Sequence, residues 1–225
     1  MYYTLKLSVC VLLFFMCGCA AMKPMVKFID KNYETDSAVI KAEIPEFKNF
    51  PNKEFEEKLN DEYEKNFAAW TEDFLKQCGN EPVEKCEFVL TQEIKYNKLP
   101  FLSVVGEAYS FTGGVHGSSS RAAINVDANN GTELTLSDLF DDSGKAFLNR
   151  KLLEIEEKNP EEYHDLWERP KISDDKSFYL SDKGLVIYFP PYELSYYARG
   201  FVEFMIPYGE LAGELRQEYI ELANR

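Results

Sequence analysis

The clearest pattern along the chain is a helical repeat of apolar residues between residues 51 and 79. These residues recur at spacings of four and three, which places them on one face of a helix: Phe55, Leu59, Tyr63, Phe67, Trp70 and Phe74. Pro51 suits a first helical turn, and Gly79 is typical of a helix end. The pattern predicts one long amphipathic helix that buries all six side chains.

The segment before this helix alternates between apolar and charged residues. Ile40 and Ile44 flank Lys41 and Glu43, which predicts a strand at 38–44, and Pro45 is expected to end it. Residues 19–36 contain few large apolar side chains, so we interpret them as a tether that leads into this strand.

Residues 86–126 also repeat with a period of two, which predicts a series of strands. In the last of these strands Ala122, Ile124 and Val126 are expected to face the core. Asn130-Gly131 then indicates a type I′ hairpin turn. The same signals predict later strands at 178–180, 185–189 and 201–206, with a turn at 182–184.

Two further helices follow from apolar spacing near residues 142 and 207. Asp142 or Ser143 can cap the first of them, and Pro207 can begin the second. Their buried faces are expected to be Phe147, Leu148, Leu152 and Ile155 in the first, and Leu211, Leu215 and Tyr219 in the second. The predicted fold class is therefore α+β, an antiparallel sheet flanked by a long N-terminal helix and two further helices.

The N-terminus has the outline of a secretory signal. Lys6 precedes an apolar run of about ten residues, which is too short for a helix that spans a bilayer. The run ends in Met16-Cys17-Gly18-Cys19, which resembles the bacterial lipoprotein box. We therefore predict a lipoprotein signal peptide at 1–18, a lipid on Cys19, and a location in the bacterial cell envelope outside the cytoplasm. The alternative is an ordinary signal that is cleaved near Ala20 or Ala21.

Charge indicates the class of partner, and cysteine content indicates one disulfide. Lys plus Arg number 25 against 39 Asp plus Glu, a formal net charge of -14, which argues against nucleic acid and favours a basic partner. After export and lipidation only Cys78 and Cys86 remain as thiols, which suggests one disulfide. A zinc site would need clustered ligands, and His116 and His164 are distant in sequence.

No motif in the chain predicts catalysis. The chain has two histidines, and it contains neither Gly-x-Ser-x-Gly nor His-Glu-x-x-His. We therefore predict no catalytic residues, no metal and no cofactor, and keep an unrecognised hydrolase as a distant alternative.

Two segments carry residue types that are typical of recognition. The first is the glycine-rich turn at 112–117, where flexible backbone can approach a ligand closely. The second is the tyrosine-rich segment at 188–200, whose residue types are favoured at binding hot spots. The candidate ligand-binding residues are Gly113, Gly114, His116, Tyr192, Glu193, Tyr196 and Tyr197. The alternative is purely structural: a tight strand connection in the first segment, and rings that pack on the sheet in the second.

Several motifs in order resemble the extracytoplasmic domain shared by RsiV-type anti-sigma factors and PdaC-type peptidoglycan deacetylases. These motifs are Thr112-Gly113-Gly114-Val115-His116-Gly117, Asn125-Val126-Asp127, the run from Gly131 to Phe140, the run from Gly184 to Glu193, and Ile206-Pro207-Tyr208. The resemblance is detailed over about residues 100–215 and rests on layout alone over 38–100. We therefore divide the domain into a PdaC-like half at 37–100 and an RsiV-like half at 101–225. We expect the two halves to pack as one globular unit.

The resemblance implies a non-catalytic binding domain, which senses lysozyme in the anti-sigma members. With no predicted cytoplasmic domain or spanning helix, we do not expect this chain to act as an anti-sigma factor. The leading hypothesis is a membrane-anchored lipoprotein that binds a basic wall-active protein such as lysozyme. The second is an accessory protein that docks peptidoglycan through the aromatic side chains of residues 188–197.

Overall fold

The structure, a computed structural model, describes residues 24–79, 84–173, 175 and 177–224, and within them ten strands form two sheets. The larger sheet contains β1 (Met25–Asp30), β2 (Tyr33–Glu34), β3 (Ala38–Lys48), β4 (Cys86–Lys98), β5 (Phe101–Phe111), β6 (Ser118–Asp127) and β7 (Thr132–Glu133). The smaller sheet contains β8 (Phe178–Leu180), β9 (Gly184–Phe189) and β10 (Val202–Pro207). The predicted α+β class is confirmed. The predicted signal peptide and Cys19 lie outside the described residues.

The strand order of the larger sheet is β1-β3-β4-β5-β6-β7, with β2 also paired to β3. Neighbouring strands are antiparallel except β3 and β4, which are parallel because a long helix connects them. Since β4 and β5 pair along their full length, the segments 37–100 and 101–225 share this sheet.

The first strands differ from the sequence prediction. Residues 19–36 were expected to form a tether, but β1 and β2 lie within them and pair with β3. The strand also continues through Pro45, which pairs with Phe28. The missing N–H of Pro45 is tolerated because β4 pairs only with residues 38–42 and leaves the other side of β3 open at this point.

The long helix α1 (Lys53–Cys78) is confirmed, with a shifted start. Asn52 caps it, since its side chain accepts a hydrogen bond from Phe55 N at 3.0 Å, and Pro51 lies outside the first turn. Gly79 ends the helix with a φ of 68°, as its position in the sequence predicted.

The buried face of α1 contains most of the predicted residues but not Trp70. Phe55, Leu59, Phe67 and Phe74 are buried, whereas Trp70 is 43% exposed. Thr71 is buried instead, and its hydroxyl donates to Phe67 O at 2.9 Å. At about 100° per residue, positions 70 and 71 lie at equal angles on opposite sides of the line through 67 and 74, so helical spacing alone does not decide which of the two is buried.

The remaining helices are α2 (Leu136–Leu139), α3 (Asp142–Lys158) and α4 (Tyr208–Leu211), with 3-10 segments at Tyr197–Arg199 and Gln217–Asn224. The sequence did not predict α2, and α4 is shorter than the predicted final helix. Asp141, rather than Asp142 or Ser143, caps α3 by accepting from Gly144 N at 2.9 Å. The predicted final helix is interrupted because Leu215 forms a β-bridge with Phe140. None of the described helices combines the length and apolarity needed to cross a bilayer.

The turn between β6 and β7 is a hairpin, as predicted, but not a type I′ turn. Gly131 has a φ of 66°, whereas Asn130 does not adopt the positive φ that type I′ requires. The carboxylate of Asp127 instead accepts from the backbone N–H groups of Asn129 and Asn130, at 2.9 and 3.1 Å, and this holds a longer loop.

The larger sheet lies between α1 on one face and the smaller sheet on the other. On the first face Phe55 and Leu59 pack with Val104, and on the second face Val105 packs with Val186. A buried polar contact also joins the two sheets. Asn125 Nδ2 donates to Phe178 O at 2.9 Å, and its Oδ1 accepts from Ser103 Oγ at 2.5 Å.

The predicted disulfide is present between Cys78 and Cys86. It links the end of α1 to the start of β4, with 6.0 Å between the two Cα atoms. Both residues are buried in the same apolar cluster as Phe74 and Phe88. The bridge therefore holds the helix against the sheet where the connecting segment begins and ends.

Candidate binding surface formed by two loops

The glycine-rich loop at 112–117 connects β5 to β6. Gly113 and Gly114 have φ values of 101° and 100°, a conformation that other residues rarely adopt. A Cβ added at either glycine would meet nothing within 4 Å, so these positions are required for backbone conformation and not for packing. Val115 at the tip is 99% exposed. The loop thus presents an apolar side chain and open backbone to solvent.

The second candidate loop, which we call the tyrosine-rich loop, runs from residue 190 to residue 201, between β9 and β10. Tyr192 has a φ of 72°, which is unusual for a residue other than glycine. Its N–H donates to Ser195 O at 3.0 Å, which closes a tight turn, and its side chain is 59% exposed. A strained backbone that holds an aromatic ring in solvent is a feature found at binding sites.

The two loops meet through stacked rings. The ring of His116 lies 4.8 Å from that of Tyr197, at an interplanar angle of 21°. The ring centre of Tyr192 lies 5.7 Å from that of Tyr197. Ser119 Oγ is 3.2 Å from the Tyr197 hydroxyl. The structure therefore brings together His116, Tyr192 and Tyr197, which are distant in sequence.

A third segment, residues 161–173, supports the tyrosine-rich loop and adds an aromatic residue that the sequence analysis missed. Trp167 N donates to Leu194 O at 3.0 Å, and its indole Nε1 donates to Glu193 O at 3.3 Å. The side chain of Trp167 is 53% exposed. It lies in a segment without helical or strand periodicity, so its position next to the loop had no sequence signal. We call His116, Trp167, Tyr192, Tyr196 and Tyr197 the aromatic surface.

Tyr196 faces this third segment and not the ring stack. Its hydrogen bond to Asp165, together with the charge of that carboxylate, raises the pKa of the Tyr196 hydroxyl. Asp165 also pairs with Arg199, with 3.5 Å between Oδ1 and Nη1, and Arg199 donates to Glu162 O at 2.6 Å. Tyr196 therefore stays protonated and can donate a hydrogen bond over the physiological pH range.

Glu193 does not point at the ring stack either. Its Oε1 accepts from Ser173 Oγ at 2.7 Å, on the side of the loop where Trp167 lies. Of the seven ligand-binding residues predicted from sequence, three form the stack, Gly113 and Gly114 shape the adjoining loop, and Tyr196 and Glu193 lie on the flank toward Asp165 and Ser173.

A cleft of about 410 Å³ lies beneath the tyrosine-rich loop. Pro191, Tyr197 and Phe201 form its outer wall, and Tyr109 and Glu107 of β5 form its inner wall. Next to it Arg121 of β6 pairs with Glu107 at 2.6 Å and with Glu203 of β10. Burial lowers the pKa of this guanidinium, but the hydrogen bonds and charges of the two glutamates outweigh that effect and raise it.

The guanidinium of Arg121 lies 4.1 Å from the centre of the Phe201 ring. Together with its two carboxylate partners, this contact ties the base of the loop to the larger sheet. Among the described residues, no group of three or more His, Cys, Asp or Glu side chains is arranged to hold a metal ion.

The fold is an α+β domain that exposes the aromatic surface, and two of its segments match family models. Residues 31–119 match the family model described as deacetylase PdaC, and residues 137–209 match the one described as protein of unknown function DUF3298. The two matches support the resemblance to an extracytoplasmic domain family that the sequence motifs indicated. A search of curated proteins gave no match.

Two solved structures share the fold. A DUF3298 family member from Bacteroides fragilis aligns with a TM-score of 0.68 and 17% identity, covering 91% of this chain and 98% of the other. A DUF3298 family protein from Pseudomonas aeruginosa aligns with a TM-score of 0.62 and 18% identity, covering 86% and 94%. The family matches support a cell-envelope domain, and the family names do not specify what it binds.

Proposed function

We propose that this chain is a non-enzymatic, lipid-anchored protein of the bacterial cell envelope whose aromatic surface binds a basic wall-active protein of the lysozyme class. The observation that carries the proposal is the stack of His116, Tyr197 and Tyr192, which joins two loops distant in sequence into one exposed patch. Exposed aromatic rings on a braced loop are typical of interface hot spots, because rigid rings bury much area at little entropic cost.

Charge supports a basic partner. The chain has a net charge of -14, and the segment that braces the aromatic surface exposes Glu161, Glu162 and Glu168. Complementary charge across an interface speeds association and discriminates against acidic proteins. The rings would therefore supply the contact area, and the surrounding carboxylates would favour a partner with a positively charged surface.

Binding to lysozyme is expected to depend strongly on salt. The full chain in mild detergent should bind at low ionic strength, and the dissociation constant should rise about tenfold at high ionic strength, a loss of about 1.4 kcal/mol. Titration calorimetry or biosensor binding at two salt concentrations measures this. Tyr192→Ala and His116→Ala should each weaken binding about tenfold, whereas Tyr33→Ala, which removes an exposed ring from β2, should not.

Two results would count against this proposal. One is the absence of measurable binding at low salt, and the other is equal binding by the Tyr192→Ala and Tyr33→Ala variants. Reversing the charge of Glu57 on α1 should mainly slow association, because this exposed residue lies on a different element and acts through the long-range field. Glu56 is unsuitable for this test, since its carboxylate accepts from Phe50 N at 2.7 Å.

Docking of peptidoglycan is the second candidate. The exposed faces of Tyr192, Tyr196 and Trp167 favour it, since aromatic rings stack on sugars. Salt distinguishes the two candidates, because sugar stacking changes little with ionic strength. Binding to isolated cell wall that is insensitive to salt, without binding to lysozyme, would replace the first proposal with this one.

The membrane anchor rests on Cys19, which follows Gly18 at the end of the apolar run. Cys19→Ala is expected to abolish labelling by a palmitate analogue and to release the protein from the membrane fraction. Cys17→Ala is the matched control and should leave both unchanged. Labelling that persists in the Cys19→Ala variant would rule out this residue as the lipidation site.

A further inference from the structure

A second cavity, separate from the aromatic surface, lies between α1 and the larger sheet. This groove has a volume of about 890 Å³ and is open to solvent. Tyr63 and Trp70 of α1 form one wall. Its floor consists of small residues on β5 and β6, among them Gly106, Ser120 and Ala122. Ala122 was predicted to face the core, but it is exposed here because the groove separates it from the helix.

The groove runs along an open edge of the sheet. Within the described residues β7 pairs only with Val126 and Asp127, so the rest of β6 has no neighbour strand on that side. Asn125 O accepts from Leu134 N, and its carbonyl therefore points away from β5. Since backbone groups alternate in direction along a strand, the N–H and C=O groups of Ser119, Arg121 and Ala123 point to the same open side.

This edge has none of the usual protection against strand pairing. Natural edges are blocked by Pro, Lys, bulges or charged side chains. Residues 118–124 contain neither Pro nor Lys, and the pairing of β5 with β6 runs without a register shift. The one charged side chain, Arg121, has only 11% of its side chain exposed and is held by Glu107 and Glu203. Among the described strands, none pairs with this row of backbone groups, which lies next to the groove.

The groove is acidic. Its described lining includes Glu62, Asp73 and Glu133 and no lysine. Lys58 and Lys76 of α1, outside the lining, pair with Glu62 at 3.7 Å and with Asp73 at 3.5 Å, but these exposed pairs are weak. Arg121 is the one cation in the described lining, and two glutamates already neutralise its charge. The lining also includes Gln92, whose Oε1 is buried without a hydrogen-bond partner among the described residues. A strand that enters the groove is therefore favoured when it brings cations and hydrogen-bond donors.

We propose that the open edge of β6 accepts an extended, basic peptide segment of a partner protein as an added strand. The main chain of the peptide would pair with Ser119, Arg121 and Ala123, and alternate side chains would enter the groove above Ser120 and Ala122. The small side chains on this floor leave room for large residues of the peptide. This site is independent of the aromatic surface and of the function proposed for it.

The test uses the full chain and a blocked heptapeptide that alternates Val and Lys. Saturable binding should slow amide hydrogen exchange at Ser119, Arg121 and Ala123 by about tenfold or more, as measured by NMR or mass spectrometry. Binding that leaves these amides unprotected would overturn the proposal. Protection of the same amides by an N-acetylglucosamine oligomer, with none by the peptide, would overturn it in favour of a sugar groove.

Two further peptides test strand pairing directly. Each carries N-methyl groups on alternate residues, one on the odd and one on the even positions. In an added strand only one of the two sets faces β6, so one methylated peptide should lose binding and the other should keep it. Equal affinity of both peptides would exclude main-chain pairing.

A matched pair of protein variants locates the site. Ala122→Arg places a cation and bulk over the groove floor and should weaken peptide binding about tenfold. Ala69→Arg adds the same side chain at an exposed position of α1 outside the groove lining and should change affinity less than about twofold. Equal loss in both variants would contradict the proposed location. Unfolding curves of the two variants check that both are folded.

Discussion

Replacing Asn125 with alanine is expected to lower the free energy of unfolding by about 3 kcal/mol. Asn125 is fully buried between the two sheets, where it accepts from Ser103 Oγ and donates to Phe178 O. The substitution leaves both groups buried without these partners, and each orphaned group costs about 1–3 kcal/mol. Urea denaturation followed by tryptophan fluorescence measures the loss.

Asn97→Ala is the matched control, because Asn97 is an exposed residue of β4. Its effect should stay within about 0.5 kcal/mol. Ser103→Ala removes the hydroxyl that donates to Asn125 and so tests the same hydrogen bonds from the larger sheet. Ser103 Oγ also accepts from Leu180 N of the smaller sheet at 3.0 Å. The double variant should lose less than the sum of the two single variants. A loss below about 1 kcal/mol for Asn125→Ala, or strict additivity, would show that the contact does not hold the sheets together.

Asn125 illustrates what a sequence motif can and cannot indicate. It belongs to one of the motifs that carry the family resemblance, and the sequence analysis assigned it no individual role. In the structure it is a buried connection between the segment that matches PdaC and the smaller sheet of the segment that matches DUF3298. The motif therefore contributed to the family resemblance that the comparisons support, whereas the role of the residue required the position of β8.

Periodicity predicted the elements that bury one continuous face. The apolar spacing of α1 and the alternation at the start of β4 follow directly from the burial of one face, so both elements were predicted. β1 was missed because its residues are mostly exposed at the sheet edge and hence lack alternation. Trp70 was assigned to the core because spacing identifies a face but not its width, and the groove leaves the margin of that face open.

The candidate surface could be predicted only by residue type. Glycines and tyrosines marked the two loops, but no sequence signal indicated that His116 would stack on Tyr197, since this contact depends on how the smaller sheet packs on the larger one. Trp167 had no such signal at all. Its contribution follows from backbone hydrogen bonds to residues 193 and 194, which a pattern of side chains cannot reveal.

Gly184→Ala is expected to destabilise the protein by about 3 kcal/mol or more. Gly184 begins β9, the central strand of the smaller sheet, and pairs with Pro207 of β10. A Cβ at this position would lie 2.1 Å from the carbonyl oxygen of Ile206. Because the clash is with backbone, no side-chain rotation relieves it, and the two strands must separate. The loss is measured by urea unfolding.

Gly209→Ala is the control, since a Cβ there meets nothing within 4 Å and the residue lies in α4, where alanine is favoured over glycine. It should be neutral or slightly stabilising. β9 and β10 hold the two ends of the tyrosine-rich loop, so Gly184→Ala should also weaken binding at the aromatic surface while Gly209→Ala leaves it intact. If Gly184→Ala unfolds at the same urea concentration as the unsubstituted chain, the close contact between β9 and β10 does not exist as described. The loop would then need another support.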